Sequence, residues 1–494
     1  MTVNDFKNLF LQNQIFIEDN LKENLQVEYI SYNSKDIKSN TLFFCKGAHF
    51  KEDFLLDAIK KGAVAYVSEY EYNVDIPYIK VSDMRKCLSL SANYFYNESH
   101  KRLKVIGITG TKGKTTTSFI IRQILDDYLK NKNLRTGFSS SVAIYDGVYD
   151  GKNELTTPEP FELHKYFYNS AENNLPYFLM EVSSQALKYG RVSGVEFFIG
   201  CYLNIGIDHI SSVEHKDFED YFTSKMKMFK MCKNAIINLD SDHIDRVLEY
   251  AKSAEKVITF STKNENADFY GYNIHKDESN IVFTVKCKDF DEEFALSIPG
   301  LFNVENALCA IAVASVLKIP MEFIKNGVYK ARAEGRMELY ETRDKKIACI
   351  VDYAHNRLSL QKLCQSTREE YPDRKIYIVV GSVGSKAISR RKDLGEISSM
   401  YAHKTFLTAD DPAEESVLSI CEEMAQYIKG DYEIIEDRGE AVMKALSSCK
   451  EKSVVLLAGK GNEKFQKVGQ IKVPYLGDTY YAKKFIEEYN AKEE

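Results

Sequence analysis

Apolar residues along this 494-residue chain fall into short runs and helical spacings that define three blocks. In the first, about residues 1–100, β-like runs at 41–45 and 64–68 flank a helical pattern at 54–61. The polar stretch 97–102 reads as a linker. The second block, 101–332, opens on the apolar run 103–109 and enters a turn rich in Gly, Lys and Thr. Beyond it, Ile120, Ile121, Ile124, Leu125 and Leu129 follow helical spacing. Further buried strands are expected at 177–182, 197–203 and 235–239, and an alternating β insertion or edge at 267–298. The third block, 333–494, alternates strand candidates at 347–351, 376–380, 404–408 and 454–458 with helices. The pattern predicts an α/β protein with open, mostly parallel sheets, whose ligands sit beyond the carboxyl ends of the strands.

Composition narrows the partners. Hydrophobic residues are 44% and charged residues 28%, an ordinary globular balance, and a net charge of −6 gives no polycationic signal for nucleic acid. No run reaches the roughly 18 apolar residues of a membrane helix, and the N-terminus does not read as a signal peptide. The ten cysteines are scattered singly without a C-x-x-C pair, which fits reduced thiols and a cytoplasmic location.

The chemistry concentrates at Thr109-Gly110-Thr111-Lys112-Gly113-Lys114-Thr115-Thr116. Strand, glycine turn and helix in that order form a phosphate loop, whose backbone N–H groups and helix N-terminus receive phosphate oxygens. Lys114 is the candidate for the β/γ-phosphates and Thr115 for Mg²⁺. The G-x-x-x-x-G-K-[ST] pattern is matched imperfectly, because Ile108 stands where its first glycine belongs.

The variant T-G-T-x-G-K-T-T resembles the ATP loop of the Mur ligases and their folylpolyglutamate synthetase relatives. Other segments, in order from about residue 28 to 478, resemble the Mur ligases that extend a UDP-MurNAc-dipeptide. Asn33-Ser34-Lys35 with Leu42–Gly47 resembles a D-S-R … L-F-V-A-x-x-G uridine signature, in which Ser34 and Gly47 match. Thr156-Thr157-Pro158 resembles T-T-P, and Met180–Leu187 with Arg191 resembles M-E-V-S-S-H-A-L…R-V. Leu203–His209 resembles T-N-L-x-x-D-H, with Leu203 replacing the threonine. Tyr221–Lys225 resembles the segment of a carbamylated lysine, and Pro299–Asn306 resembles L-x-G-x-F-N-V-x-N. Gly335-Arg336-Met337-Glu338 and Asp352-Tyr353-Ala354-His355-Asn356 match G-R-M-E and D-Y-A-H-[NT]-P, Arg357 replacing the proline.

The resemblance implies three domains: a UDP-binding one (1–100), a central P-loop ATPase (101–332), and a Rossmann-like domain for the incoming amino acid (333–494). It implies ATP on Gly110, Thr111, Lys112, Gly113, Lys114, Thr115 and Thr116, with Asn306 at the adenine and Arg336, Asp352 and His355 closing over the nucleotide. Mg²⁺ would be held by Thr115, Glu181, His209 and a Lys225 carbamate. The precursor would meet Ser34, Gly47, Thr156, Thr157, Ser183 and Arg191. Arg391, Gly459 and Glu463 would grip the amino acid's backbone end. The implied activity is ATP-dependent amide ligation through an acyl phosphate, in cell-wall precursor synthesis, by a monomer.

Members that add meso-diaminopimelate carry D-N-P-R at the place where this chain has Asp410-Asp411-Pro412-Ala413. Ala413 offers no charge to a distal carboxylate, so L-lysine is favoured over meso-diaminopimelate or ornithine. The same six residues, Asp410–Glu415, also read as a capped, solvated helix start. A nucleotide-binding regulator built on a decayed ligase is the alternative from another class.

Overall fold

The computed structural model describes residues 1–47, 50–153, 155–206, 210, 214–277, 280–385 and 388–492. The expected His209 site lies outside the described residues. Contacts divide the chain into two compact units, one of residues 1–114, 128–237 and 241–258, the other of 115–127, 238–240 and 259–494.

The first unit begins with a five-stranded sheet in the order Phe16–Asp19, Tyr78–Val81, Ala63–Ser68, Thr41–Phe44, Tyr29–Ser31, parallel except at the Phe16–Asp19 edge. Helix Glu52–Lys61 buries Leu55 and Ala58 and stops at Gly62, whose φ of 117° is the left-handed cap that glycine supplies. Next in the chain, strand Lys104–Thr109 lies between Tyr177–Glu181 and Phe197–Tyr202, parallel to both. Gly137–Ser139 pairs outside Tyr177–Glu181, and Cys232–Asn238 outside Phe197–Tyr202. The three central strands are buried almost throughout, which is why they read as unbroken apolar runs. Their carboxyl ends deliver Thr109, Glu181 and Tyr202 to one edge, from which the functional loops depart.

The stretch 97–102 departs from the reading as a linker. Ser99–Arg102 forms a 3₁₀ turn in which Ser99 and His100 are fully buried. The His100 ring packs 5.9 Å from His164, on helix Pro160–Glu172, and 6.1 Å from Phe167. Polarity along the sequence concealed a packing role.

The second unit contains an antiparallel meander, Phe269–Asp277, Asn280–Cys287 and Asp291–Leu296, as the alternation at 267–298 predicts. Helix Asn303–Val316 is apolar on nearly every side and buried from Asn303 to Ala314, except Glu305. A six-stranded sheet follows in the order Glu338–Glu341, Ile347–Asp352, Ser453–Ala458, Lys375–Val380, Lys404–Leu407, Asp431–Ile434. It is parallel except at its first strand, a doubly wound arrangement. Residues 410–415 do not start a helix. Ala413 has a φ of 50°, and the next helix is Val417–Ala425, capped by the Ser416 hydroxyl.

Candidate active site

The phosphate loop is built as its sequence requires. Gly113, at φ 86°, turns the chain into helix Lys114–Leu129 in a conformation that a side chain would oppose. Asn204 pins the loop from the neighbouring strand end: its Oδ1 accepts from Lys112 N at 2.9 Å, and its Nδ2 donates to Lys112 O at 3.1 Å. The Asn204 carbonyl accepts from Thr111 N at 3.0 Å. Thr111 Oγ1 shares a 2.9 Å hydrogen bond with Tyr221 OH and accepts from Gly206 N. Lys114 lies across the loop and donates to the Gly110 and Thr111 carbonyls at 2.8 and 3.2 Å. Such a turn, with backbone N–H groups, a helix N-terminus and an ammonium, is suited to phosphate oxygens.

Two predicted groups beside this loop are buried rather than solvated. Lys225 is 2% exposed, while Lys227 and Lys230 on the following turn face solvent. Its ammonium donates to Gly110 O at 2.9 Å and lies 4.7 Å from the Tyr221 ring centre. Glu181, 1% exposed, ends its strand and accepts from Ser141 N at 3.2 Å. Among the described residues no cluster of three or more His, Cys, Asp or Glu side chains is arranged for a metal. The donor chemistry nonetheless fits Mg²⁺, which prefers hard oxygens: a buried carboxylate at Glu181 and a hydroxyl at Thr115.

Among the expected precursor residues, Thr157, Ser183 and Arg191 form a connected array. Thr157 Oγ1 donates to Glu181 O at 3.0 Å and accepts from Ser183 N at 2.9 Å, and the Ser183 hydroxyl caps helix Ser184–Lys188. Arg191 Nη1 donates to Thr157 O at 3.2 Å, and its Nε pairs with Glu159 at 2.9 Å. Thr156 is half-buried on the same loop. Ser34 is buried, with its carbonyl receiving Lys61 Nζ at 2.8 Å, and Gly47 makes an exposed turn at φ 101°. Asn33, in place of the family's aspartate, closes a turn by accepting from Lys35 N at 3.0 Å, as an aspartate would.

In the second unit, Asn306 is pinned between Thr117 Oγ1, which donates to it at 3.1 Å, and Asn303, which receives its Nδ2 at 2.7 Å. Asp352 ends its strand and accepts from Met337 N at 2.9 Å. The Arg336 guanidinium lies 4.4 Å from the Tyr353 ring centre. His355 Nδ1 donates to Tyr353 O at 2.8 Å, which fixes the proton on that nitrogen. Asn356 caps helix Arg357–Glu370, so Arg357 stands at the first helical position, where the family's proline is also well suited.

The amino-acid end is an ionic cluster with a member that sequence reading missed. Lys460 is fully buried, and its ammonium is 2.6 Å from Glu463, 2.8 Å from Asp411 and 3.8 Å from Asp410. Three carboxylates around one ammonium leave an excess of two negative charges. Burial pushes the Asp410 carboxyl up to about 6, against the opposing pull of Lys460. Gly459 has a φ of 114°, and a Cβ there would come within 2.7 Å of Asp410. Arg391 is 3% exposed and already holds two protein carboxylates, Glu415 through both oxygens at 2.8 and 2.9 Å and Glu423 at 2.5 Å.

Sequence reading also passed over His215, fully buried, with Nε2 3.0 Å from Ser184 Oγ and Nδ1 3.3 Å from Asp220 Oδ2. The available signal was a second histidine six residues after His209, in a segment leading to Lys225.

Comparison with known proteins gives this geometry a family. A model described as Mur ligase middle domain matches residues 108–314, and one described as Mur ligase, glutamate ligase domain matches 335–461. The chain is 38% identical to a UDP-N-acetylmuramoyl-L-alanyl-D-glutamate--L-lysine ligase of Enterococcus faecalis, over 94% of this chain and 92% of the relative. It is 39% identical to the protein of that name from Streptococcus sanguinis, over 94% and 93%. A solved UDP-N-acetylmuramoyl-L-alanyl-D-glutamate--2,6-diaminopimelate ligase shares the fold, with a TM-score of 0.67 over 99% of both chains at 24% identity. So does the MurF ligase of Thermotoga maritima in complex with ADP, with a TM-score of 0.62 over 94% of this chain and 98% of that one, at 18% identity. With the two domain matches in sequence and more than a third of its residues shared with full-length relatives, this chain belongs to the Mur ligase family.

Proposed function

We propose that this protein joins L-lysine to the D-glutamyl carboxylate of UDP-MurNAc-L-Ala-D-Glu, using ATP, in peptidoglycan precursor synthesis. The observation that carries the choice of lysine is the Asp410, Asp411, Glu463 and Lys460 cluster, which keeps a surplus of negative charge beside an uncharged Ala413. That surplus suits a substrate ending in an ammonium and disfavours a distal carboxylate. The relatives named for L-lysine, similar over nearly the whole chain, support the same choice.

ATP would lie on Gly110–Thr116, with Asn306, Arg336, Asp352 and His355 as its further contacts. The precursor carboxylate attacks the γ-phosphorus, an acyl phosphate forms and ADP departs. The lysine amine then attacks the acyl carbon, phosphate leaves and the amine loses a proton. Lys114 and the loop N–H groups stabilise charge on the transferring phosphoryl oxygens, which is most of what this chemistry asks of a protein. Thr115, Glu181, His209 and a Lys225 carbamate would hold Mg²⁺, which supplies further neutralisation of phosphate charge. The carbamate forms when the neutral Lys225 amine adds CO₂ and releases a proton. Ser34, Gly47, Thr156, Thr157, Ser183 and Arg191 would receive the precursor, and Arg391, Gly459 and Glu463 the amino acid. The same reading makes the protein a cytoplasmic monomer. The ten free cysteines support the compartment, and among the described residues no helix is long and apolar enough to cross a membrane.

The test is ADP release measured with each component omitted in turn. Release should require ATP, the UDP-linked dipeptide and lysine together. ADP formed equally well without the dipeptide would overturn the reading.

A further inference from the structure

Glu159 is the residue at which two cations from distant parts of the chain meet. Lys46 follows the strand Thr41–Phe44 of the first sheet, and Arg191 follows the short helix Ser184–Lys188. One Glu159 oxygen lies 2.7 Å from Lys46 Nζ and the other 2.9 Å from Arg191 Nε. Lys46 also sits over the Tyr32 ring, 4.2 Å from its centre, and the Tyr32 hydroxyl donates to Glu162 at 2.6 Å. All of these residues belong to one compact unit.

A guanidinium has five N–H donors. Here Nε goes to Glu159 and one Nη1 hydrogen to Thr157 O, so two of the five donors hold the side chain in place. Lys46 is fixed likewise, by one carboxylate oxygen and one aromatic face. Two like charges would otherwise repel, and each long side chain would lose rotamer freedom in staying put. A carboxylate between them cancels the repulsion and offsets the ordering cost while using only part of their hydrogen-bonding capacity.

We propose that Glu159 is a positioning residue for the anionic precursor: it orients Arg191 and Lys46 so that their remaining donors meet phosphate or carboxylate oxygens of the UDP-linked dipeptide. The inference deepens the proposed function and rests on it for the identity of the anion. Lys46 thereby becomes a contact that the uridine-like motif did not single out.

The experiment compares wild type, Glu159→Gln, Glu159→Asp and Lys46→Met. Steady-state KM is measured for each of the three substrates, alongside calorimetric titration of the UDP-linked dipeptide into protein without ATP. Glu159→Gln should raise precursor KM and Kd about tenfold or more, the factor of one charge-assisted hydrogen bond. KM for ATP and lysine should stay put, Glu159→Asp should recover part of the loss, and Lys46→Met should move the same two constants. Unchanged or tighter precursor binding in Glu159→Gln overturns the inference, the latter showing that Glu159 merely occupies the anion's place. Equal changes in all three KM values with a lowered Tm also overturn it, as a structural role. If wild type binds the dipeptide without turning it over, the reaction assignment fails and the Kd comparison alone decides the inference. If wild type does not bind the dipeptide, both fail.

Discussion

Lys225 and Lys114 donate to the same acceptor, the carbonyl oxygen of Gly110, at 2.9 and 2.8 Å. The first comes from a helix otherwise committed to packing, the second from the helix that the loop itself begins. A buried lysine reaching a phosphate loop is costly to desolvate, so its retention there points to use.

Replacing Lys225 by Ala should lower turnover by about a hundredfold or more, the order seen when a group stabilising transition-state charge is removed. On the proposed carbamate reading, added formate or acetate should restore part of it by supplying the missing oxygens. Lys227→Ala and Lys230→Ala, both at exposed positions, should stay near wild type. Equal losses at all three positions, without rescue, would show only that this segment must be basic.

Lys114→Ala separates chemistry from folding. The side chain is half-buried and donates to two loop carbonyls, so its loss should leave the fold intact while lowering stability by about 1–2 kcal/mol. ADP release should fall about a hundredfold to a thousandfold. A folded variant with near-normal turnover would remove the ATP site from this loop.

The acidic cluster gives a pH dependence. Asp410 titrates near 6, so its negative charge is lost as pH falls through that value. The kcat/KM for lysine should therefore decline below about pH 6 and flatten in Asp410→Asn. Ala413→Arg should shift preference toward meso-diaminopimelate. A flat wild-type profile from pH 5 to 8 would show that Asp410 takes no part in recognition.

His164 supplies a stability test. Burial pushes its pKa down to about 3, so it is neutral when folded, and His100 beside it is lowered for the same reason. In the unfolded chain the imidazole titrates near the usual 6.5, so below that pH the unfolded state binds more protons. The stability associated with His164 is complete above pH 6.5 and is lost as pH falls toward 3. At pH 5 the loss is roughly 2 kcal/mol from this residue alone. Urea denaturation at pH 7.5 and 5.0 should show a smaller pH difference in His164→Leu than in wild type. An unchanged difference would mean that other groups carry it.

Local order made the phosphate loop legible, because strand, glycine turn and helix are consecutive in the chain. Glu181 and Lys225 were nameable only through their place in an ordered set of motifs. By itself each has the sequence appearance of a solvated charge, whereas both are buried. Pairings made across the fold stayed hidden. Glu159 meets Lys46 and Arg191, and Lys460 draws in Asp410 and Asp411 beside its near neighbour Glu463, and apart from that last pair no local spacing encodes these contacts. His100 was misread for the same reason, since its burial depends on a helix more than sixty residues away in the chain.

The most direct test of the central claim is a competition. Purified protein, ATP and UDP-MurNAc-L-Ala-D-Glu are incubated with equal concentrations of L-lysine, meso-diaminopimelate and ornithine, and the UDP-linked products are identified by mass spectrometry. The account predicts the lysyl product in large excess, formed one for one with ADP. A diaminopimelyl product as the main species, or ADP without any extended precursor, would contradict it.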